Sequence, residues 1–466
     1  MTSRVRVRIA LLAVAAVLVM FARTGTGLLA NYDDCYYAEK AKEMLHGGGW
    51  LTPHFAGIVR LDNPPLFLWL VAAGMVVFGV GKFGAVFFSA ASGAGCVLFV
   101  VRLARRLGLD EFEGFSAGVI LLTTQYFVKY AGHAMMDVPL TLLFLVAADG
   151  YLSAAEGRRA GWLQLGVATG LGVLMKSVLG VFPLVVAAVH RLTVRRGKAL
   201  KEPGLWIAGV SAVAVFAPWF VYQWVTHPTT LVDEHFAWLI WSRGFSEPAR
   251  SGLRHSALGY LYGIGKLYWP WLPFSLAGIW LERKRGRAAY PVLLIWLVVV
   301  VGTMSLGHVR KMWYVMSVFP CLALFAAMAV GRLVRAEAAR RRVIAWSLGC
   351  VLAGGVLLAF TPLGRSRQRQ ADLHEIATIA RTAVPPGRKV INLDAPYWDV
   401  ACLFLFYSDH DVTEAVNDPA QVRQQLLDGG WGLIPAARVD ELVAGEPAVI
   451  RVVARSGNWA LLSASR

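Results

Sequence analysis

The stretch Asn31-Tyr-Asp-Asp-Cys-Tyr-Tyr-Ala-Glu39 directly follows the first long apolar segment of this chain, and it places the carboxylates of Asp33 and Asp34 beside that segment. A charge inside hydrocarbon costs roughly 3 kcal/mol or more, so this acidic pair must lie in a wet or paired environment. The 466 residues are 57% hydrophobic and only 16% charged, and their mean hydropathy is +0.54. Soluble proteins carry about 25% charged residues. The composition therefore predicts a polytopic membrane protein with an acidic site near the membrane surface.

Eleven apolar runs approach the length of about 20 residues that an α-helix needs to cross a bilayer. They lie at residues 6–23, 83–101, 114–130, 138–154, 161–175, 178–192, 205–224, 258–280, 288–305, 313–331 and 343–361. The first run has features of a cleavable signal peptide, but we favour an uncleaved helix because many further spans follow. One more apolar run, residues 65–80, is expected to be an interfacial helix, because a span there would put the basic cluster at 102–106 on the outside.

The same positive-inside argument places the first external loop, residues 24–82, and everything after residue 361 on the extracytoplasmic side. In the tail, helical patterns at 371–383, 418–427 and 436–444 alternate with β-rich runs at 389–393, 448–453 and 459–462. The sequence thus predicts an all-α polytopic membrane domain of about 11 transmembrane helices plus interfacial helices at residues 1–361. It predicts a small extracytoplasmic α/β domain at residues 362–466.

Charged residues from distant parts of the chain gather on this predicted external face. They include Asp33, Asp34, Asp62, Asp137, Lys176, Arg310 and Lys311. The chain contains no Gly-x-x-x-x-Gly-Lys-Ser/Thr loop, no His-Glu-x-x-His and no Gly-x-Ser-x-Gly, so these motifs do not indicate ATP-driven or hydrolytic chemistry. The set suits group transfer from a lipid-linked phosphate donor. A carboxylate accepts the proton of an attacking hydroxyl group, and basic residues stabilise the charge that develops on the departing phosphate.

Several motifs carry a resemblance to a known family. They are Tyr32-Asp33-Asp34-Cys-Tyr-Tyr-Ala-Glu39, Glu43-Met-Leu, Gly49-Trp50-Leu-Thr-Pro53-His54, Asp62-Asn-Pro64-Pro65-Leu66-Phe67, Met136-Asp137-Val-Pro139-Leu, Leu174-Met-Lys176-Ser-Val-Leu-Gly180 and Lys311-Met-Trp-Tyr314. Together they resemble the lipid A aminoarabinose transferases and, more widely, the protein mannosyltransferase-like group, which are polytopic glycosyltransferases of the C fold (GT-C). The resemblance covers roughly residues 25–325, and the first external loop is its most specific part.

By this resemblance Asp33 matches the catalytic carboxylate of the family, Asp34 the acidic position beside it, and Asp137 a second acidic position. The family has Lys where this chain has Asn63, so one basic contact to the donor phosphate is missing here. We expect basic residues of the same face to supply it, namely Arg60, Lys176, Arg310 and Lys311.

Further residues are candidates for binding the substrates or an ion. Tyr37, Asn63 and Tyr314 are assigned to the acceptor or the sugar. Asp62 and His54 are the candidates for a divalent metal, the one cofactor that the sequence indicates.

We therefore predict an integral glycosyltransferase of the bacterial inner membrane, with its active site on the extracytoplasmic face. It transfers a sugar with inversion from an undecaprenyl- or other polyprenyl-phosphate donor to a hydroxyl group of a glycolipid, glycan or protein, with Asp33 as general base. The rival hypothesis is a multi-spanning lipid or solute transporter or flippase. Transporters tend to hold their charges near the bilayer midplane and often contain repeats, whereas here the charges gather at one face and no repeat is visible.

Overall fold

The computed structural model describes residues 3–22, 24–30, 32–194, 202–246, 258–287, 289–361, 370–444 and 449–464. Its amino-terminal part contains α1 (Ser3–Phe21), α2 (Asp33–Leu45), a hairpin of β1 (His54–Phe55) and β2 (Ile58–Val59), and α3 (Leu66–Phe78). Asp33 and Asp34 form the first turn of α2, where the exposed N–H groups of a helix favour negative charge. Gly47, with a φ of 106°, lies just beyond the end of α2 and allows the chain to leave the helix.

In the described residues the bundle continues with thirteen helices. They are α4 (Lys82–Arg106), α5 (Glu111–Leu122), α6 (Gln125–Ala131), α7 (Asp137–Ala155), α8 (Ala160–Lys176), α9 (Phe182–Val194), α10 (Pro203–Thr226), α11 (Pro228–Thr230), α12 (Gly259–Leu267), α13 (Leu272–Glu282), α14 (Ala289–Leu306), α15 (Val318–Leu333) and α16 (Glu337–Phe360). A π-helix at Leu231–Ser246 extends α11, and 3-10 helices lie at Ser177–Val181 and Met312–Val315.

Six helical segments of the described chain are long and apolar enough to cross a membrane. They are Lys82–Arg106, Asp137–Ala155, Ala160–Thr193, Pro203–Thr226, Ala289–Leu306 and Glu337–Phe360. The total of eleven spans stays a prediction. The helix α3 has 13 residues, which at about 1.5 Å per residue is short for a hydrocarbon core of about 30 Å, in agreement with an interfacial helix.

Two of the predicted spans were wrong as single helices. The run 114–130 breaks between α5 and α6, where the hydroxyls of Thr123 and Thr124 donate to carbonyl oxygens of the preceding turn. The run 258–280 breaks between α12 and α13, where Pro270 has no N–H to continue the helix. Apolar composition predicted the burial of these segments but not their continuity.

The chain turns back sharply after α8. A Cβ atom on Gly180 would lie 2.0 Å from the carbonyl carbon of Gly172, so glycine is required for the two segments to approach. The turn leaves Lys176 at the end of α8, next to the start of α7, against which α8 packs. A functional group at the beginning of α7 therefore meets one at the end of α8.

The described part of the carboxy-terminal region contains a five-stranded sheet and four helices. These are α17 (Ala371–Ala383), β3 (Val390–Leu393), α18 (Tyr397–Ser408), β4 (Val412–Val416), α19 (Pro419–Leu427), β5 (Trp431–Pro435), α20 (Val439–Val443), β6 (Ile450–Ser456) and β7 (Trp459–Ala464). The strand order is β4-β3-β5-β7-β6, with β3 parallel to both β4 and β5 and the other pairs antiparallel. The predicted domain boundary at residue 362 falls in 362–369, outside the described residues.

Candidate active site

The acidic pair at the start of α2 divides into a partly exposed and a buried carboxylate. Asp33 is half-buried, whereas Asp34 is 3% exposed. One oxygen of Asp34, Oδ2, accepts the N–H of Ala30 at 3.2 Å and lies 2.7 Å from Nδ1 of His133. His133 belongs to the turn before α7, so Asp34 joins the first loop to the helix that carries Asp137. Asp33 is the more accessible of the two to a substrate.

Asp137 and Lys176 form a second charged group at the adjacent ends of α7 and α8. The Lys176 Nζ atom lies 2.5 Å from Oδ1 of Asp137, and Asp137 is 2% exposed. The other oxygen, Oδ2, is buried and has no hydrogen-bond partner among the described residues. Lys176 also lies 5.1 Å from the centroid of the Tyr314 ring. One buried carboxylate oxygen of this group therefore has an unused capacity to accept a hydrogen bond.

Asp62 is held by side chains of α2 and by its own neighbour. Its Oδ1 atom accepts from Lys40 Nζ at 2.7 Å and from the Tyr36 hydroxyl at 3.1 Å, and its Oδ2 accepts from Asn63 Nδ2 at 2.7 Å. Burial alone would raise the pKa of Asp62, but the Lys40 ammonium and these hydrogen bonds lower it below its ordinary value. Asp62 is therefore a buried, ionised anchor, and Asn63 serves to hold it.

Tyr37 lies within the electrostatic reach of three carboxylates. Burial raises the pKa of its phenol, and the negative charges of Asp33, Asp62 and Asp137 raise it further, as does the nearby Tyr314. Charges from three separate segments of the sequence therefore act on one tyrosine. The Tyr37 ring packs edge-on against Phe67, with 5.6 Å between the centroids. Tyr37 thus lies beside the carboxylates, and its predicted role in binding the acceptor or the sugar stays a prediction.

The residues predicted to bind the donor phosphate differ in the groups that surround them. Arg310 donates from Nη2 to the carbonyl oxygen of Ser305 at 2.9 Å, and Lys311 Nζ lies 5.6 Å from the ring centroid of Trp313. Both side chains are half-buried. Arg60 instead forms an ion pair with Glu234, with 2.8 Å between Nη1 and Oε1. Arg60 and Lys176 thus already have carboxylate partners, and the donor roles of all four residues stay predictions.

Two consecutive residues of the π-helix, Glu234 and His235, hold the backbone just before Asp62. Glu234 Oε2 accepts the N–H of Leu61 at 2.6 Å, and His235 Nδ1 donates to the Leu61 carbonyl at 3.1 Å. Burial lowers the pKa of His235, which leaves its Nε2 atom free to accept the Ser177 hydroxyl at 2.8 Å. Sequence reasoning missed this clamp, because nothing in the spacing of residues 234 and 235 indicates which loop they face.

Lys40 was also missed, although a signal for it existed. It follows Asp33 by seven residues and Tyr36 by four, which places all three on one face of α2. A lysine on the face of a helix that carries a functional carboxylate is a candidate partner for nearby acids.

The predicted metal site does not fit its residues. The described part of the chain contains no group of three or more His, Cys, Asp or Glu side chains that could hold a metal ion. Both oxygens of Asp62 accept hydrogen bonds from protein groups. His54 lines a different feature, a groove of about 420 Å³ between α2 and α18 whose lining does not include Asp62. No step of the chemistry is therefore derived through a metal at this position.

The helix α18 of the carboxy-terminal region lies directly against α2. Burial raises the pKa of Cys402, and the carboxylates of Asp33 and Glu39 raise it further, so α18 runs close to the acidic pair. Near the other end of α2, Lys42 Nζ contacts Glu39 Oε2 at 2.8 Å and Asp409 Oδ1 at 2.7 Å. It also donates to the carbonyl oxygens in the last turn of α18, at 3.0 Å for Phe406. The two helices are thus joined along the length of α2.

Comparison with known proteins connects this site to a family. Residues 62–222 match the family described as dolichyl-phosphate-mannose-protein mannosyltransferase. The undecaprenyl phosphate-alpha-4-amino-4-deoxy-L-arabinose arabinosyl transferase of Pseudomonas savastanoi pv. phaseolicola is 29% identical over 312 residues, which are 65% of this chain and 56% of the relative. The protein of the same name from Pseudomonas aeruginosa is 29% identical over 355 residues, which are 74% of this chain and 62% of the relative. The chain therefore spans less than two thirds of the length of these relatives.

The solved structures agree on the fold. ArnT from Cupriavidus metallidurans, in a crystal structure with bound undecaprenyl phosphate, superposes with a TM-score of 0.80 at 19% identity and covers 97% of each chain. The archaeal oligosaccharyltransferase AglB from Archaeoglobus fulgidus has a TM-score of 0.58 at 14% identity and covers 89% of this chain and 64% of its own. These likenesses confirm the fold class that the first loop predicted.

Proposed function

We propose that this chain, a GT-C protein related to the undecaprenyl-phosphate aminoarabinose transferases, transfers a sugar from a polyprenyl-phosphate donor to a hydroxyl group of an acceptor. The fold and the sequence relationship support this proposal, and one observation carries it. The charges of Asp33, Asp62 and Asp137 all act on Tyr37, although these residues are up to about a hundred residues apart in sequence. An acidic group of which two members, Asp62 and Asp137, are buried is a costly arrangement for a bundle and is typical of a functional site.

Asp33 is the general base. It is the half-buried member of the acidic pair, so an acceptor hydroxyl can reach it. As the proton passes to Asp33, the acceptor oxygen forms a bond to the anomeric carbon from the face opposite the phosphate. The bond between the anomeric carbon and the phosphate oxygen breaks at the same time, and the configuration inverts. The polyprenyl phosphate leaves with the electron pair of that bond.

Asp137 orients the acceptor or assists the base. Its buried Oδ2 atom has no hydrogen-bond partner among the described residues and accepts a hydrogen bond from the acceptor. Lys176 neutralises Asp137 through Oδ1, and its ammonium also lies above the Tyr314 ring. Arg310 and Lys311 precede Tyr314 and supply positive charge for the departing phosphate. Tyr37 and Tyr314 form walls of the sugar site, and Asn63 acts through Asp62.

The donor is a lipid, so the site must open to the bilayer. The carboxylates stand at the ends or outside of the apolar helices rather than at their midpoints, which suits a donor whose phosphate lies at the membrane surface. It does not suit the alternative transporter, whose charges are expected near the midplane. The positive-inside distribution supports an extracytoplasmic position for this surface and for the carboxy-terminal α/β region in the inner membrane. The acceptor is a glycolipid such as lipid A, another glycan or a protein of that compartment.

The decisive experiment replaces the base without changing its size. Asp33→Asn protein is expressed beside the wild type, and sugar additions to envelope glycolipids and glycoproteins are measured by mass spectrometry. Loss of the product that appears only with the wild type supports the proposal, provided that the variant still binds undecaprenyl phosphate. The exposed Asp428→Asn is the matched control. Normal product formation by Asp33→Asn would falsify the assignment of the base.

A further inference from the structure

Lys40 is an ammonium group enclosed by oxygen atoms. The residue is 0% exposed, and its Nζ atom lies 2.7 Å from Oδ1 of Asp62, 3.2 Å from the carbonyl oxygen of Arg60 and 3.5 Å from the Tyr36 hydroxyl. The ammonium also sits over the Tyr36 ring at 4.8 Å from its centroid. A carboxylate, a backbone carbonyl and a phenol oxygen around one positive charge resemble the oxygen shell that proteins offer to hard divalent cations.

Asp62 accepts three hydrogen bonds in this arrangement. Lys40 and Tyr36 donate to its Oδ1 atom and Asn63 donates to its Oδ2 atom, while the residue is 8% exposed. The Lys40 ammonium supplies the counter-charge of this buried carboxylate at 2.7 Å from Oδ1. A metal ion that used the same oxygen atoms would have to displace Lys40, which is fully buried.

We propose that Lys40 is a built-in cation, which neutralises Asp62 and ties α2 to the segment before α3, so that the Asp62 site binds no divalent metal. The inference deepens the proposed glycosyl transfer and rests on it for its functional meaning. Asp33 opens the same helix two turns before Lys40, and Asp62 leads into Pro64, Pro65 and α3. The Lys40–Asp62 contact therefore fixes the position of α2, which carries the base, relative to the segment that leads into α3. Lys40 is a positioning residue and does not touch the reacting atoms.

The first test is the metal content of the full-length wild-type protein purified in detergent. We expect Mg, Mn, Ca and Zn, measured by inductively coupled plasma mass spectrometry, to stay well below one equivalent per chain. We expect EDTA to leave the Tm and the binding of undecaprenyl phosphate unchanged. One equivalent of a metal that EDTA removes with a fall in Tm, and that Asp62→Asn protein no longer binds, would overturn the proposal.

The second test exchanges the cation. Lys40→Met leaves the Asp62 carboxylate buried without its counter-charge, so we expect Tm to fall by about 5 °C or more. Millimolar Mg²⁺ or Mn²⁺ is expected to restore part of that loss, because the emptied oxygen shell can then accept an ion. The double variant Lys40→Met/Asp62→Asn removes both charges and is expected to regain most of the Tm without added metal. Equal Tm values for the wild type and Lys40→Met would refute the role of Lys40.

Lys42→Met is the matched control, because Lys42 is a buried lysine of the same helix with different carboxylate partners. Its loss of Tm is not expected to be repaired by Asp62→Asn. If both lysine variants respond alike to Asp62→Asn, the specific Lys40–Asp62 pairing is wrong. These measurements need no sugar transfer, so failure of the general-base assignment and failure of the built-in cation are separate results.

Discussion

Nδ1 of His133 lies 2.7 Å from Oδ2 of Asp34, and this contact joins the helix that begins at Asp33 to the turn that precedes α7. His133 is followed by Asp137 four residues later. The contact therefore links the segments that carry Asp33 and Asp137. In the proposed mechanism Asp33 is the base, and Asp34 is the neighbour that holds the start of α2 against the turn before α7.

Removing the imidazole is expected to slow transfer without weakening donor binding. A hydrogen bond to a charged group contributes about 1.5–3 kcal/mol, so His133→Ala should lower kcat roughly 10- to 100-fold if the contact serves catalysis. The measurement is the initial rate at saturating polyprenyl-phosphate sugar, together with undecaprenyl phosphate binding. His133→Asn, which retains a donor group, should lose less. Unchanged kcat in His133→Ala would show that Asp34 is held by other contacts.

The Asp137–Lys176 pair leads to a prediction about stability. Lys176→Met leaves a carboxylate that is 2% exposed without its counter-ion. Breaking a buried pair on one side costs about 3–5 kcal/mol. We expect a matching fall in the free energy of unfolding in detergent, and a recovery of most of it in Lys176→Met/Asp137→Asn. The recovered stability would come without activity, because the double variant lacks the Asp137 carboxylate.

Lys311→Met provides the comparison for that experiment. Lys311 is half-buried, and its ammonium lies near the Trp313 ring. Its removal should change the free energy of unfolding by about 1 kcal/mol or less, as for surface charges, while the affinity for undecaprenyl phosphate falls. A large loss of stability in Lys311→Met with full lipid binding would contradict the assignment of Lys311 to the donor phosphate.

The sequence predicted the elements of the site better than their pairing. The apolar runs and the distribution of basic residues predicted that Asp33, Asp62 and Asp137 lie on one face, and in the structure the charges of all three act on Tyr37. The partners of these carboxylates depend on which side chains meet across helices, and spacing along one segment carries no information on that. Glu234 and His235 are the plainest example, since they act on Leu61, which is more than 170 residues away in the sequence.

The carboxy-terminal region shows the same limit for secondary structure. The helix α17 was predicted with its observed bounds because its apolar residues follow the helical period. The helix α18 was missed, since residues 400–406 are all buried and the sequence shows a continuous apolar run without a period. The buried run reflects packing of α18 against both α17 and α2. A helix that is buried on all sides has few polar positions, so its sequence lacks the alternation of apolar and polar residues from which a helix is predicted.

Glu39 makes the stability of the first loop depend on pH. Burial raises the pKa of Glu39 from 4.5 to about 7, against the attraction of Lys42. The folded state therefore binds this proton more tightly than the unfolded state. The stability that Glu39 contributes is complete below about pH 4.5 and is lost as the pH rises through about 7.

Glu39→Gln removes this ionisation, so the variant should gain stability relative to the wild type as the pH rises from 5 to 8. The gain should reach up to about 3 kcal/mol, because one pKa unit corresponds to about 1.4 kcal/mol. Thermal unfolding at both pH values measures it, with the exposed Asp428→Asn as control. A difference between Glu39→Gln and wild type that is independent of pH would rule out a raised pKa for Glu39.

The contacts of Lys42 predict how the carboxy-terminal region affects the candidate active site. Its ammonium contacts Glu39, Asp409 and the carbonyl oxygen of Phe406, and so fastens the last turn of α18 to α2. Lys42→Met leaves two carboxylates without this cation and the end of α18 without a donor. We expect faster amide hydrogen exchange in both helices and a lower transfer rate, because α2 carries Asp33 at its other end.

The matched control for Lys42 is Lys389, which pairs with Asp411 at 2.6 Å in the same region but has a side chain that is 60% exposed. Surface pairs of this kind contribute about 0–1 kcal/mol, so Lys389→Met should leave exchange in α2 and the transfer rate unchanged. Lys42→Arg should recover part of the protection from hydrogen exchange and part of the transfer rate, because it keeps the positive charge. If Lys42→Met accelerates exchange only in α18 while transfer stays normal, the carboxy-terminal region packs on α2 without positioning the base.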